Sequence, residues 1–420
     1  MDIYQELQAR GLIYQHTDEE ALRKRLNAPI RLYCGFDPTA DSLHIGHLLP
    51  VLVLKRFQLA GHRPIALVGG ATGLIGDPSG KTTERVVNPK SVVEQWASNL
   101  KTQLSHFLDF ESDENPAVIA NNYDWLGSLN VIDFLRDIGK NFPLGAMLAK
   151  ESVEARMAKG ISYTEFSYML LQSYDFLQLN ETYGCEMQVG GSDQWGNITL
   201  GIDLIRRLSG DQPKEIFALT VPLVTKSDGI KFGKTESGTV WLDADKTSTY
   251  KFYQFWLNTD DRDVVKFLHY FTFLPLEEIS ALAEETAREP EKRKAQRTLA
   301  AEVTRLVHGQ EAVERAEKIS QALFGGNVRN LSATEIAEGF SEVPSMEIAD
   351  PEITLVDLLI QAGAVKSRRQ AREALETGSV YINDLRCTEA ETSVAQLERL
   401  GGKYLVLRRG KKNYYLIKFR

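Results

Sequence analysis

The alternation of apolar and polar positions predicts a short β-strand at residues 30–35, near the start of the chain. Residues 36–43 are mostly turn formers, and residues 44–61 form a long apolar segment that is typical of a helix. Residues 65–68 follow as a short continuous apolar run, which is typical of a buried parallel strand. A strand, a helix and a second strand of these lengths indicate a right-handed crossover, so we expect an α/β fold with a parallel sheet.

Polar and glycine-rich loops follow the predicted strands at several points of the chain. Residues 69–82 follow the second strand, residues 121–125 form another such loop, and residues 190–197 follow a further predicted strand at 185–189. In an open α/β sheet, ligands bind outside the carboxyl ends of the strands. We therefore expect these loops to contribute to a ligand site.

A helix predicted at residues 162–179 carries polar side chains among many apolar ones. Tyr168, Gln172 and Asp175 are spaced by four and three residues and therefore share one side of this helix. A polar face toward solvent is the commoner role of such residues, and that alternative stays open. Because the neighbouring positions are largely apolar and leave little free surface, we interpret these three side chains as the lining of a site.

The carboxyl-terminal part of the chain has a different pattern. Residues 247–323 have helical periodicity, with aromatic residues that we interpret as core, and the composition of residues 325–352 predicts a linker. Beyond it the pattern predicts two short helices at residues 355–362 and 367–376, a β segment at 380–383 and a hairpin at 404–419. We expect a small α+β domain there.

Length and composition are those of an ordinary soluble protein with two or three domains. The three cysteines are widely spaced and odd in number, so they imply no disulfide framework and fit a reducing cytoplasm. No apolar run has the length of a membrane span, and the acidic amino terminus is unlike a signal peptide. These features predict a cytoplasmic protein.

Net charge is uneven along the chain. The whole sequence carries −8, yet residues 351–420 contain 13 Lys and Arg against 8 Asp and Glu. From Arg399 onward there are eight basic residues and no acidic one. A basic end on an acidic body indicates contact with RNA or another polyanion at that end.

The segment that leads from the first strand into the first long helix has the geometry of a phosphate site. The amide groups and the dipole of a helix amino terminus face the preceding loop and favour an anion there. His44 and His47 lie on one face of that helix, while Gly46 leaves the backbone open to a flat ring. An ordinary surface pair of histidines is the alternative. Zinc fits poorly, because the spacing is too short for the metalloprotease motif and no cysteine is near.

Two Gly-Lys-Thr triplets, at residues 80–82 and 233–235, suggest a P-loop, but neither has the required spacing. The motif needs a glycine five residues before the last glycine, where this chain has Ile75 and Asp228 respectively. A P-loop nucleotide-binding site is therefore not expected.

Residues 38–47 (Pro-Thr-Ala-Asp-Ser-Leu-His-Ile-Gly-His) resemble the first signature of the class I aminoacyl-tRNA synthetases. The preceding residues 33–37 make this segment similar to the bacterial tyrosyl enzymes of that class. Residues 231–235 (Lys-Phe-Gly-Lys-Thr) resemble the tyrosyl version of the second signature, and residues 190–193 resemble the ribose-binding loop of the family. Residues 353–420 look like a small RNA-binding module named after a ribosomal protein. The resemblance spans nearly the whole chain.

The resemblance implies an arrangement of domains and a reaction. The domains would be a Rossmann-like catalytic domain with a connective insertion at residues 1–246, an α-helical anticodon-region domain at 247–324, the linker at 325–352 and the RNA-binding domain at 353–420. ATP would activate tyrosine to tyrosyl-adenylate with release of pyrophosphate, and the tyrosyl group would pass to the 3′-terminal adenosine of tRNA(Tyr). The same resemblance implies a homodimer and magnesium that accompanies ATP, with no separate metal site in the protein.

The functional residues of the family, carried onto the matching positions, fall into four sets. The catalytic set is Thr39, His44, His47, Lys231 and Lys234. The tyrosine set is Tyr33 and Asp175 for the phenolic hydroxyl, Asp77, Tyr168 and Gln172 for the α-ammonium, and Gln194 for the carboxyl group. The ATP set is Cys34, Gly35, Asp37, Gly46, Lys81, Arg85, Gly191 and Asp193. The RNA set is Arg368, Arg369, Arg372, Arg408, Arg409, Lys411 and Lys412.

Three alternative functions stay open. A nucleotidyltransferase with a similar His-x-Gly-His helix would not need the helical block and the basic end. An RNA-binding protein derived from a synthetase would not need both signatures intact. A tryptophanyl enzyme shares the architecture but would leave Tyr33 and Asp175 without a phenol to bind.

Pro50 raises a separate question about the first long helix. A proline inside a helix removes an N–H donor and costs about 3 kcal/mol. Either the helix begins later than residue 44, or the strain is tolerated at a functional turn.

Overall fold

The structure, a computed structural model, describes residues 2–79, 88–157, 160–211, 214–227, 232–235, 238–410 and 413–419. The chain divides into two compact units. The first unit comprises the residues up to 247 together with 258–299, and the second comprises 248–257 and the residues from 300 onward. The division differs from the predicted boundaries at 247 and 324, because helices of the predicted helical domain fall in both units.

The described strands in chain order are β1 (Gln15–His16), β2 (Arg31–Phe36), β3 (Arg63–Val68), β4 (Val118–Asn121), β5 (Cys185–Gly191), β6 (Phe217–Val221), β7 (Lys234–Thr235), β8 (Gly238–Thr239), β9 (Ser345–Ile348), β10 (Val380–Ile382), β11 (Leu385–Cys387), β12 (Tyr404–Arg409) and β13 (Asn413–Phe419). Strands β1 to β8 belong to the first unit, and β9 to β13 belong to the second.

The described α-helices are α1 (Ile3–Ala9), α2 (Glu19–Arg25), α3 (Ile45–Leu59), α4 (Lys90–Leu104), α5 (Tyr123–Leu126), α6 (Val131–Asp133), α7 (Leu144–Leu148), α8 (Glu151–Met157), α9 (Tyr163–Tyr183), α10 (Trp195–Leu208), α11 (Thr249–Leu257), α12 (Asp261–Phe271), α13 (Leu276–Arg288), α14 (Lys294–His308), α15 (Gln310–Gly325), α16 (Ala333–Gly339), α17 (Leu355–Gln361) and α18 (Arg368–Glu376). None of these described helices combines the length and the apolar character that crossing a membrane requires. The helical prediction for residues 247–323 is confirmed by α11 to α15.

The main sheet of the first unit has the strand order β1–β6–β5–β2–β3–β4. Neighbouring strands are parallel, except that β1 runs antiparallel to β6. β2 and β5 are the central pair. On one side β3 and β4 follow β2, and on the other side β6 follows β5. Such a reversal of the strand order opens a crevice at the carboxyl ends of the central strands. The predicted α/β fold with a parallel sheet is confirmed.

The core of the first unit explains why β2 and its neighbours are so apolar. The ring of Tyr33 on β2 packs edge-on against Phe176 of α9, with 5.2 Å between the ring centroids, and neither side chain is exposed. Helix α10 lies close behind α9, because a Cβ atom added at Gly201 would lie 3.2 Å from the ring of Phe176. The sheet and these two helices therefore hold one wall of the crevice rigidly.

Helix α3 runs from Ile45 through Pro50 to Leu59 without a break. With His44 as its cap, the helix begins at Ile45, so a later start does not account for Pro50, and the proline lies inside the second turn. Its ring removes the N–H that residue 50 would otherwise donate to the carbonyl of Gly46. Burial stabilises the helix instead, since Leu48 and the run from Val51 to Leu54 are fully buried.

The second unit contains a five-stranded sheet of order β11–β10–β12–β13–β9. Helices α17 and α18 share a core with this sheet that includes Leu358, Leu375, Leu405 and Ile417. These two helices, β10 and the β12–β13 hairpin confirm the elements predicted for this region. Strands β9 and β11 were not predicted.

Residues 325–352, whose composition predicted a linker, are folded in the structure. Ser332 and Glu335 form a capping box at the start of α16, and Ile336 and Phe340 are buried in a core cluster of this unit. Strand β9 then pairs in parallel with β13. The polar and glycine residues that suggested a linker are caps and turns between these short elements.

Candidate active site

A cavity of about 360 Å³ opens at the crevice between the carboxyl ends of β2 and β5. Fifteen residues assigned to the catalytic, tyrosine and ATP sets from the sequence line it: Tyr33, Cys34, Gly35, Asp37, Thr39, His44, Gly46, His47, Asp77, Tyr168, Gln172, Asp175, Gly191, Asp193 and Gln194. Lys81, Arg85 and Lys231 lie outside the described residues, and only the backbone of Lys234 is described. The structure therefore brings together in one place segments that are far apart in the sequence.

Two polar groups mark the inner end of the cavity. The hydroxyl oxygen of Tyr33 is buried and has no hydrogen-bond partner among the described residues. Burial, followed by the nearby charge of Asp175, raises the pKa of Tyr33 well above its usual value, so the hydroxyl stays a neutral donor. The carboxyl group of Asp175 is 2% exposed and lines the same cavity. A ligand with a hydroxyl at this end would meet both a donor and an acceptor.

Asp175 is held by two hydrogen bonds from a loop that follows β4. Asn122 donates to one carboxyl oxygen at 2.9 Å, and the indole N–H of Trp125 donates to the other at 2.8 Å. Burial raises the pKa of Asp175 to about 8, although these two hydrogen bonds act in the opposite direction. The carboxyl group is therefore fixed in orientation and close to its ionisation point at neutral pH.

A chain of hydrogen bonds continues from Asp175 across the floor of the cavity. Asn122 also donates to the hydroxyl of Thr72, which donates to Asp37 at 2.7 Å. The other carboxylate oxygen of Asp37 accepts the hydroxyl of Tyr168, also at 2.7 Å. These five cavity-lining side chains thus hold one another in place.

A second polar cluster connects the loop after β3 with α9 and the loop after β5. Asp77 accepts the side-chain amide of Gln194 at 2.7 Å. The amide of Asn197, which is 4% exposed, donates to Gln172 at 3.1 Å and lies 3.3 Å from the carbonyl oxygen of Gln194. Asp77, Gln172 and Gln194 are therefore preorganised next to one another, as a site for an ammonium and a carboxylate requires.

The mouth of the cavity is formed by the first turn of α3. Nδ1 of His44 accepts the N–H of Gly46 at 3.0 Å, and Nδ1 of His47 accepts the N–H of His44 at 3.2 Å. The two rings stack with 3.9 Å between their centroids. Since Nδ1 is an acceptor in both neutral rings, each carries its proton on Nε2 and is a hydrogen-bond donor there. The histidine pair is therefore a cap of the helix as well as a pair of donors.

The backbone of the second signature lies against the first. Gly233 has φ +82°, and a Cβ atom added there would lie 3.0 Å from the side chain of Ile45. The N–H of Val240 donates to Gly233, and the N–H of Ile45 donates to the carbonyl of Val240 at 3.1 Å. Only a glycine allows this close approach without strain. Two segments separated by nearly two hundred residues thus meet at the mouth of the cavity.

Glycine backbone and a buried thiol form the side of the cavity between β2 and β5. A Cβ atom added at Gly46 would lie 2.7 Å from the ring of His44, and one at Gly191 would lie 2.5 Å from Asp193. Burial raises the pKa of the Cys34 thiol to about 12, so it stays protonated and unreactive at neutral pH. This wall offers bare backbone for a flat ring and polar groups beside it.

The sequence analysis missed the residues that orient the site. Asn122 and Trp125 belong to a loop that we singled out, but their contact with Asp175 depends on the fold. The sequence analysis also gave no role to Thr72 or Asn197. It missed Gln188 of β5 as well, which lines the cavity and has a buried side-chain carbonyl oxygen with no partner among the described residues. The one available signal was the position of these residues at strand ends and helix starts.

The predicted RNA-contacting residues lie in the second unit. On α18, Arg368, Arg369 and Arg372 are all exposed, Arg368 forms an ion pair with Asp357, and Arg372 lies 3.7 Å from Glu391. Arg408 is half-buried, with its guanidinium 3.9 Å from the centroid of the Tyr381 ring, and Arg409 donates to the carbonyl of Ala364. Lys411 and Lys412 lie outside the described residues. Helix α18 therefore presents its charges to solvent, whereas those of β12 also hold the fold.

The family matches cover both units. Residues 24–325 match the tRNA synthetases of class I for tryptophan and tyrosine (W and Y), and residues 335–417 match the tyrosine–tRNA ligase SYY-like C-terminal domain. The chain belongs to the class I tRNA synthetases, in the family that comprises the tryptophan and tyrosine enzymes.

Within that family, similar curated proteins over the full length are bacterial tyrosine–tRNA ligases. The chain is 70% identical over 418 residues to the tyrosine–tRNA ligase of Desulfitobacterium hafniense (strain DSM 10664 / DCB-2) and 61% identical over 421 residues to tyrosine–tRNA ligase 1 of Bacillus subtilis (strain 168), with complete coverage of both chains in each case. A C-terminally truncated mitochondrial tyrosyl-tRNA synthetase of Aspergillus nidulans is similar in structure, with a TM-score of 0.70 and 32% identity over 77% of this chain and 94% of that chain. The resemblance to the tyrosyl enzymes is confirmed.

Proposed function

We propose that this chain is a tyrosine–tRNA ligase that activates tyrosine with ATP and transfers the tyrosyl group to tRNA(Tyr). In the first step the carboxylate of tyrosine attacks the α-phosphorus of ATP, forming tyrosyl-adenylate and releasing pyrophosphate. In the second step a hydroxyl of the 3′-terminal adenosine attacks the activated carbonyl and releases AMP. Neither step requires a covalent nucleophile from the protein, so catalysis depends on binding and on hydrogen-bond donors.

The observation that carries this proposal is the pairing of Tyr33 and Asp175 at the inner end of the cavity. A phenolic hydroxyl between them would donate to the carboxylate of Asp175 and accept from the hydroxyl of Tyr33. Phenylalanine in the same position would leave the buried hydroxyl of Tyr33 without a partner, at a cost of about 1–3 kcal/mol, and would leave Asp175 with only its hydrogen bonds from Asn122 and Trp125. The indole of tryptophan offers no oxygen at that position.

The opposite end of the amino acid would bind the second polar cluster. Asp77, Tyr168 and Gln172 would accept the α-ammonium, and Gln194 would donate to the carboxylate. The existing hydrogen bond from Gln194 to Asp77 supports this assignment, because it places a donor and an acceptor side by side. A zwitterionic head group needs such a pair.

ATP would bind at the mouth of the cavity. Adenine would lie over the bare backbone of Gly46, with Gly191 and Asp193 at the ribose and Cys34, Gly35 and Asp37 along the same wall. The Nε2–H groups of His44 and His47, with Thr39 beside them, would donate to phosphate oxygens. Their geometry supports this role, since both Nδ1 atoms are already committed to backbone N–H groups.

Positive charge for the departing pyrophosphate would come from Lys231 and Lys234, helped by Lys81 and Arg85. Magnesium would accompany ATP. Phosphate oxygens would be its main ligands, because magnesium is usually bound through substrate phosphates and few protein groups. The ion would neutralise phosphate charge when bound.

We assign tRNA binding to the basic carboxyl-terminal part of the chain, residues 353–420, with α18 as a contact surface. Its exposed Arg369 and Arg372 support this assignment. The remaining assignments are a catalytic domain at residues 1–246, an anticodon-region domain at 247–324 and a cytoplasmic location.

We also propose a homodimer. Between residues 131 and 163 several large apolar side chains are strongly exposed, including Val131, Ile132, Leu144 and Tyr163 at 61–72%. Exposed apolar area of this kind is typical of a protein–protein interface. Sedimentation equilibrium would measure the mass, and a monomer at micromolar concentration would contradict the assignment.

The decisive experiment is pyrophosphate exchange into ATP, measured with each of the twenty amino acids in turn. We expect tyrosine alone to support exchange, and charging of tRNA(Tyr) to follow when the tRNA is added. Exchange with tryptophan and not tyrosine would indicate the other enzyme of the family. Silence with every amino acid would contradict the proposal and favour a nucleotidyltransferase or an RNA-binding role.

A further inference from the structure

Helix α12 contacts one residue before the second signature and one residue within it. Ser227 lies four positions before Lys231, and Phe232 follows Lys231 directly in the sequence. Both residues pack against α12 in the first unit. The helix is not part of the cavity lining, and neither motif nor composition gave it a role.

The first contact is made by a buried carboxylate near the start of the helix. Asp263 is 2% exposed, and one of its oxygens accepts both the N–H and the hydroxyl of Ser227 at 2.8 Å each. Its other oxygen accepts the ammonium of Lys266 at 2.9 Å, and Lys266 also donates to the carbonyl of Thr225 at 2.8 Å. Two residues of α12 therefore hold the backbone at Thr225 and Ser227, which precede the signature.

The electrostatics of Asp263 agree with a permanently charged anchor. Burial acts to raise the pKa of this carboxyl group, but the hydrogen bonds from Ser227 and Lys266 outweigh it and lower the pKa. Hydrogen bonds to a charged acceptor are roughly twice as strong as neutral ones. The contact with Ser227 is thus stronger than an ordinary loop hydrogen bond.

The second contact is aromatic. The ring of Phe232 stacks on Phe271 with 5.4 Å between centroids and an interplanar angle of 12°, and it meets Phe267 edge-on at 5.2 Å. All three side chains are at most 9% exposed. The residue between the two signature lysines is therefore fixed to α12, and the adjacent Gly233 lies against Ile45 of the first signature.

The far end of α12 is fixed to the helix that carries the histidines. The buried guanidinium of Arg56 on α3 donates to the carbonyl of Thr272, just after α12, and to Glu6 at 2.8 Å. Arg10 donates to Glu6 as well and to the carbonyl of Leu274 at 2.8 Å. Helix α12 is consequently connected to α3 at one end and to the second signature along its length.

We propose that Asp263 is a positioning residue for tyrosine activation: it holds Ser227 ahead of the second signature, whose lysines meet the pyrophosphate in the function proposed above, on which this role rests. Asp263 does not line the cavity, so its effect is transmitted through Ser227. A misplacement of about 1 Å at reacting groups costs on the order of a hundredfold in rate.

The test compares three variants in pyrophosphate exchange with tyrosine. Asp263→Asn removes the charge that Ser227 and Lys266 share, and Asp263→Asn combined with Lys266→Met also removes the unpaired ammonium. Asp261→Asn is the matched control, because it makes the same chemical change on an exposed side chain in the same turn of α12, and the asparagine oxygen can still accept the side-chain amide of Gln296. Thermal unfolding of each variant reports on the fold.

For both Asp263 variants we expect kcat of exchange to fall about tenfold to a hundredfold, with the KM for pyrophosphate raised. The KM for tyrosine should change by no more than about twofold, and the control should match the wild type, as for a surface substitution. Ser227→Ala should lower kcat less, because it removes only the hydroxyl donor.

The outcomes distinguish this proposal from the proposed function itself. If the wild-type protein supports no exchange with tyrosine, the proposed function fails. If the wild type is active and folded Asp263 variants keep its kcat, the positioning role is refuted. A fall in kcat that is accompanied by an equal rise in the KM for tyrosine would show a merely structural effect and would also refute it.

Discussion

Replacing Tyr33 by phenylalanine removes one oxygen atom and leaves the ring in its packing against Phe176. The hydroxyl oxygen is buried, and no described residue is its hydrogen-bond partner, so the folded protein loses no internal hydrogen bond. We expect the free energy of unfolding to stay constant or to rise by up to about 1–3 kcal/mol, the cost of burying an unpaired hydroxyl. The activity with tyrosine, in contrast, should fall.

The change in activity follows from the number of partners that a bound phenol keeps. Tyrosine loses its hydrogen bond with Tyr33 but keeps the one with Asp175. A neutral hydrogen bond contributes about 0.5–1.5 kcal/mol, so the KM for tyrosine should rise about 2-fold to 13-fold. Phenylalanine never made that hydrogen bond. The preference of the enzyme for tyrosine over phenylalanine should therefore fall by at least the same factor.

Pyrophosphate exchange with each of the two amino acids, together with thermal unfolding, measures both effects. Tyr168→Phe is the matched control, because its hydroxyl donates to the carboxylate of Asp37 at 2.7 Å. Loss of that hydrogen bond should destabilise the fold by about 1.5–3 kcal/mol. The reasoning is refuted if Tyr33→Phe destabilises the protein as much as Tyr168→Phe, or if the preference for tyrosine is unchanged.

Four further predictions concern Asp175, the first turn of α3 and α18. Because burial raises the pKa of Asp175 to about 8, kcat/KM for tyrosine should rise with pH through that value in a pH–rate profile. Trp125→Phe removes a hydrogen bond that lowers this pKa, so the variant should show the rise at higher pH. The pKa of Asp175 is raised from 3.8, its ordinary value, so between the two values the folded protein holds a proton that the unfolded chain releases. The free energy of unfolding should therefore fall as pH rises toward 8, and urea unfolding at a series of pH values would measure this. Gly46→Ala should lower the kcat of exchange about tenfold or more without changing the KM for tyrosine, because the new Cβ would lie 2.7 Å from the His44 ring and break its cap. Arg369→Gln should weaken tRNA binding and make its salt dependence shallower by about one unit of slope, as filter binding at several salt concentrations would show, while exchange stays unchanged.

The elements around the site could be predicted because they are local in origin. The alternating residues of β2, the apolar run of β3 and the long helix α3 each follow from short-range periodicity. Lining residues were identifiable because they lie at strand ends or share one side of α9. The first turn of α3 even has its two histidines as cap residues, a detail that depends on neighbours within three positions.

What could not be predicted depends on contacts between distant residues. The hydrogen bonds of Asn122 and Trp125 with Asp175 join positions about fifty residues apart, and those of Asp263 with Ser227 depend on how α12 docks. Residues 325–352 resembled a linker because the pairing of β9 with β13 leaves no local signal in four residues. In such short strands, pairing with a distant strand outweighs the local β-propensity of the residues.

The continuous chain of hydrogen bonds links two parts of substrate recognition: the side chain of the bound amino acid and its α-ammonium and carboxylate groups. Asp175, Asn122, Thr72, Asp37 and Tyr168 form one path, in which each member fixes the next. An amino acid that satisfies Asp175 leaves this path undisturbed, so Tyr168 stays where it can meet the α-ammonium. An amino acid without a phenol gives the buried carboxyl group of Asp175 no third partner besides Asn122 and Trp125, and any adjustment there is passed along the path. Selection at the inner end of the cavity would then affect the placement of the reacting carboxylate at the mouth, which links specificity to rate.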